Sequence, residues 1–131
     1  MAFDLLHILP TPTTPEVILN PKGIIKIKGR ALSVSSNDFP EQIMNGIDAY
    51  LANPPDSTDV VIGFEYLNSF SAKILVTILK KISQAIPRPK KLAIRWYYED
   101  DDDDMLDTGK YISEIYNIPI EFIVIGDISA L

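Results

Sequence analysis

Asn68, Ser69 and Ser71 stand where "YLNSFSAKILVTILKK" (residues 66–81) passes from an apolar run into an amphipathic one, and Lys73 follows Ser69 by four residues. Asn68 or Ser69 is placed to cap the helix that begins there by accepting its first free N–H groups. A serine in a first helical turn also presents its hydroxyl to a kinase. A phosphate on Ser69 would face the unpaired backbone N–H groups and come within reach of Lys73, adding roughly −1.5 to −2 charge at pH 7 without requiring the fold to change. The acidic run Glu99–Asp104 offers oxygen ligands to a hard cation. It lacks the glycine-punctuated alternation of a calcium loop, and its last members suit the positive end of a helix macrodipole. A third use for Asp100, Asp101 and Asp102 is a partner-facing acidic patch.

Along the strand that precedes this run, Ile94, Trp96 and Tyr98 share one face and Arg95 and Tyr97 the other. Core packing accounts for the first set. Arg95 and Tyr97 suit a partner surface if one sheet face has no helical cover. Covalent catalysis finds little support: His7 is the sole histidine, it lies far from the serines in sequence, and glycine-rich phosphate loops and nucleophile elbows are both missing. No cofactor is expected, and an enzyme built on a metal at the acidic run is the rival reading.

The elements that must position these residues follow from hydropathy. Residues 1–15 read as an extended lead-in, with Pro10, Pro12 and Pro15 unable to donate to a ladder. Glu16–Asn20 and Ile24–Arg30 form a hairpin across Asn20-Pro21-Lys22-Gly23. Ser35 to Glu41 carries helix-start signals, and a helix continues to about Ala52. A strand over Asp59–Leu67 places Val60, Ile62, Phe64 and Tyr66 on one face. A helix over about Ser69–Ala85 ends at Pro87-Arg88-Pro89. A strand over Lys91–Tyr98, a helix over about Asp104–Tyr116 and a strand over Ile118–Ile125 complete the chain. The expectation is an α/β fold: one domain over 1–131, an open mixed sheet with an N-terminal β-hairpin and about three helices mainly on one face.

Composition bounds the partners. The chain has 131 residues, 47% of them hydrophobic and 23% charged, values that suit a folded domain. A net charge of −6 repels nucleic acid and anionic lipid. The lack of cysteine fits a reducing compartment, and the start "MAFDLLHILPTPTTP" does not read as a signal peptide, so a cytoplasmic location is expected.

Several segments in order carry a resemblance: "TPTTPEV", "KIKGRALSVSSNDFPEQI", "FEYLNSFSAKILVTIL", "RWYYEDDDDDMLDTGKYI" and "IPIEFIV". Together they resemble the SiaC family of bacterial regulatory phosphoproteins, small domains similar to the STAS (anti-sigma factor antagonist) fold. The resemblance implies a phosphorylatable hydroxyl directly after the Tyr-Leu-Asn strand end, here Ser69; Asn68, Ser71 and Lys73 are the residues expected to frame it. The family often has threonine at that position, and STAS proteins have aspartate where this chain has Asn68. It further implies a non-enzymatic partner switch: a cognate Ser/Thr kinase adds phosphate, a PP2C-like phosphatase removes it, and one state binds the output protein. In SiaC-like systems that output is a diguanylate cyclase; in STAS relatives it is an anti-sigma factor.

Overall fold

The computed structural model describes residues 4–32, 39–86 and 90–131. One sheet runs in sequence order from β1 (Leu6–Ile8) through β2 (Glu16–Asn20), β3 (Ile24–Ala31), β4 (Ser57–Leu67) and β5 (Lys91–Glu99) to β6 (Glu121–Ile125). The β1–β2 and β2–β3 pairs are antiparallel, and β3 to β6 are parallel. The turn between β2 and β3 closes with Gly23 N–H donating to Asn20 O at 3.0 Å. Parallel pairs need crossovers, supplied by α1 (Phe39–Leu51), α2 (Ser69–Ala85) and α3 (Asp103–Ile115).

All three helices cover one face. Ile43, Ile47 and Tyr50 of α1 and Leu75, Ile78, Leu79 and Ile82 of α2 are buried with Ile25, Ile27, Val60, Ile62 and Phe64 of the sheet. Trp96 lies beside Ile62 in register, on that same face. Its indole donates to Met105 O of α3 at 3.2 Å and meets Phe64 edge-to-face, with ring centroids 6.1 Å apart. The expected α/β architecture with its mixed sheet is therefore the one observed.

Among the described residues, the opposite face has no helix of that length. Lys26, Val61, Arg95 and Glu121 lie side by side across it, as do Lys28, Gly63, Tyr97 and Ile123. A short 3-10 helix, Ile128–Ala130, folds back here and packs on β3, β4 and β5. Lys28 Nζ holds this tail through the carbonyls of Ser129 and Leu131.

Three expectations need correction. The lead-in is not wholly extended chain, because Leu6–Ile8 pairs with Val17–Leu19. Its prolines begin only at Pro10, so earlier N–H groups remain available to the edge of β2. Tyr66 does not share a face with Phe64. Gly29 pairs with Phe64 and Arg30 with Tyr66, an irregularity that admits Glu65 as an extra residue and reverses the alternation. Tyr66 is consequently 54% exposed, and Leu67 packs against the core instead. Finally, β6 begins at Glu121 rather than Ile118, since Pro119 cannot donate to a ladder. The helix-start signals at Ser35–Asp38 and the stop at Pro87–Pro89 lie outside the described residues.

Candidate functional site at the carboxyl end of the sheet

The end of β4 is held from across the sheet before the chain turns. Asn68 N–H donates to Ala31 O at 3.0 Å, fixing Asn68 in an extended conformation. From there its side-chain oxygen accepts Ser71 N–H at 2.9 Å, and its carbonyl accepts Ala72 N–H at 2.9 Å. Asn68 is thus the cap of α2, and Ser69 becomes the first helical residue, with its side chain exposed. Ser71, only 7% exposed, turns inward toward Phe39, Phe64 and Ile74. Lys73 is exposed one turn after Ser69.

Both Ser69 and Lys73 line a groove between α2 and α3. Ala72 and Val76 continue it on α2, Thr108, Tyr111, Ile112 and Tyr116 form the α3 wall, and its volume is about 230 Å³. Lys80 stands above its far end, its ammonium 5.6 Å from the Tyr116 ring centroid.

Because β4 and β5 are parallel neighbours, the acidic run leaves the sheet at the same end as the serine pivot. Its members do separate jobs. Glu99 accepts Ile128 N–H at 2.9 Å, anchoring the tail. Asp102 caps α3 by accepting Met105 N–H at 3.1 Å, and Asp103 and Asp104 occupy the first turn, where the macrodipole favours negative charge. Asp100 and Asp101 are exposed. Among the described residues, no three histidine or acidic side chains converge as metal ligands.

Arg30, Glu65 and Tyr66 also belong to this end, together with Glu99, Asp101 and Asp102, around an open polar cleft of about 430 Å³. The Arg30 guanidinium lies 4.4 Å from the Tyr66 ring centroid and donates through Nε to Pro12 O at 2.9 Å. Sequence reasoning missed these three because it passed over Gly29, a glycine inside β3 with φ of +119° that marks the irregularity turning Tyr66 outward.

Arg95 and Tyr97 open on the back of the sheet, level with Val61 and Gly63, and the structure does not bring them to the pivot. The Arg95 guanidinium contacts Asp59 at 3.1 Å and Glu121 at 3.5 Å. The hydrogen bond and charge of Asp59 raise its already high pKa, so it is a fixed cation. His7 sits in β1, 3.2 Å from Glu16, on the side of the molecule formed by the first strands.

Comparison with known proteins bears on what such an arrangement serves. SiaC of Pseudomonas aeruginosa has the same fold, with a TM-score of 0.78 and 21% identity over 94% of this chain and 99% of that chain. A chain in the crystal structure of diguanylate cyclase SiaD in complex with its activator SiaC, from the same organism, superposes with a TM-score of 0.80 at 21% identity, covering 92% and 99%. An uncharacterized protein of Pseudomonas aeruginosa (strain UCBPP-PA14) is 24% identical over 95 residues, 72% of this chain and 75% of its own length. Residues 8–125 match the family model described as SiaC family regulatory phosphoprotein, a span that includes the capped serine, the acidic run and all but the start of the sheet. The chain belongs to the SiaC family of regulatory phosphoproteins.

Proposed function

We propose that this protein is a non-enzymatic cytoplasmic regulator that binds a diguanylate cyclase when Ser69 is unmodified and releases it when Ser69 is phosphorylated. A cognate Ser/Thr kinase writes the mark and a PP2C-like phosphatase removes it. The observation that carries this reading is the division of labour at the pivot. Asn68 already caps α2, so the exposed Ser69 hydroxyl is not required for the fold. A phosphate there stays in solvent beside Lys73 and the first-turn N–H groups, while any partner surface covering it must desolvate a dianion. The complex of SiaD with its activator SiaC supports the choice of a cyclase as output.

The test is capture of a purified cognate diguanylate cyclase by wild type, Ser69→Ala and Ser69→Asp. Wild type and Ser69→Ala should bind alike, and Ser69→Asp should bind at least about tenfold more weakly. Equal binding by all three removes the switch. Phosphopeptide mapping after kinase treatment should place the phosphate on Ser69 and not on the buried Ser71.

A further inference from the structure

The polar cleft at the carboxyl ends of β3, β4 and β5 lies outside the proposed switch, and only some of its charges are engaged. Glu99 accepts Ile128 N–H and Asp102 accepts Met105 N–H. Glu65 and Asp101 line the same cleft, and neither carboxylate has a hydrogen bond or salt bridge among the described residues. Arg30 is fixed at one edge and on one face: Nε donates to Pro12 O at 2.9 Å, and the guanidinium lies over the Tyr66 ring. Its two terminal nitrogens have no partner among the described residues, although acidic side chains line the cleft. A guanidinium oriented in this way keeps a free fork, the geometry that grips a carboxylate through two parallel N–H groups.

The free groups are thus one cation and two anions around about 430 Å³, so their complement carries one anion and two cations. We propose that this cleft binds a free basic α-amino acid of the lysine type, with its α-carboxylate on the Arg30 fork, its α-ammonium on Glu65 and its side-chain cation on Asp101. A diamine leaves the fork unused, and an amino acid with a neutral side chain leaves Asp101 unused. Tyr66, half exposed beside the fork, gives the methylene chain an apolar wall. The position suits a ligand, since open α/β sheets bind theirs outside the carboxyl ends of the strands. The neighbouring cleft shares Arg30 and Glu65 but offers no such set, because its Lys28 is already taken by Glu16 and by the carbonyls of Ser129 and Leu131.

The test titrates the isotope-labelled full chain, at one ionic strength, with L-lysine, with cadaverine, which is lysine without its carboxylate, and with Nα-acetyl-lysine. Lysine should shift the amide resonances of Arg30, Tyr66 and Asp101 and bind about tenfold more tightly than either analogue. Arg30→Lys keeps the charge, removes the fork and should abolish the preference for lysine over cadaverine. Glu65→Gln alters a carboxylate that holds nothing else among the described residues, and it should abolish the preference over Nα-acetyl-lysine. Asp101→Asn, on an exposed side chain, should weaken lysine severalfold while the spectrum stays dispersed. Cadaverine binding as tightly as lysine reduces the cleft to an acidic patch and overturns the proposal. So does a lysine titration that moves no amide of the cleft, or one that Glu65→Gln and Asp101→Asn leave unaltered.

Discussion

Asn68 and Ser69 each carry an oxygen able to cap α2, and residue type alone does not decide between them. The decision is made at long range: Ala31 O holds Asn68 N–H, and that places Asn68 one step before the helix. Ser69 and Ser71 likewise look equivalent until the helix phase turns one outward and the other onto the core. Three substitutions should therefore separate. Asn68→Ala should lose about 1 kcal/mol of stability through the missing cap. Ser69→Asp should stay within about 0.5 kcal/mol of wild type, as surface changes do. Ser71→Asp places a charge among Phe39, Phe64 and Ile74 and should lose at least about 3 kcal/mol. Urea unfolding followed by circular dichroism measures all three. A loss for Ser69→Asp as large as that for Ser71→Asp would show that charge at the pivot acts by unfolding the protein rather than by altering its surface.

At the scale of elements, legibility followed the strength of the local pattern. The bounds of α2 were readable because its apolar period is regular and turn residues precede it, and the observed helix is Ser69–Ala85. In contrast, β1 has three residues beside a proline-rich stretch, and only the open edge of β2 makes it a strand. The outward turn of Tyr66 depends on how β3 pairs with β4, and its trace in the sequence is a single glycine, Gly29, inside an otherwise regular strand. The acidic run was legible in part: negative charge at the start of α3 is what the structure uses, while the anchoring of Ile128 by Glu99 spans 29 residues and had no sequence signal. The run should accordingly be unequal under substitution. Asp102→Ala removes the acceptor of Met105 N–H and should cost about 1 kcal/mol. Neutralising the exposed Asp100 or Asp101 as asparagine should change stability by less than about 0.5 kcal/mol. Thermal melts of the three variants check this, and equal losses would assign the run a collective structural role.

The whole molecule has one sheet with two differently built covers, and two glycines record the difference. Gly109 of α3 lies so close to the sheet that an added methyl carbon would meet Trp96 at 2.7 Å and Phe122 at 2.8 Å. Both are ring atoms, and the Trp96 indole is fixed by its bond to Met105 O and its contact with Phe64, so neither can yield cheaply. On the back face, a methyl on Gly63 would meet the tip of the Leu131 side chain and, at 3.2 Å, Ile128 Cδ1. These belong to a short tail held by Glu99 and Lys28 that lies on the strands without being paired into the sheet. Overpacking the rigid cover strains α3 against the sheet, whereas overpacking the tail displaces only the tail. Gly109→Ala should thus lose about 1–3 kcal/mol of global stability. Gly63→Ala should lose less, and its effect should appear as faster amide hydrogen exchange at Ile128 and Leu131 with the core amides unchanged. If Gly63→Ala instead speeds exchange throughout β3, β4 and β5, the tail is part of the cooperative core, and the back of the sheet is as firmly closed as the front.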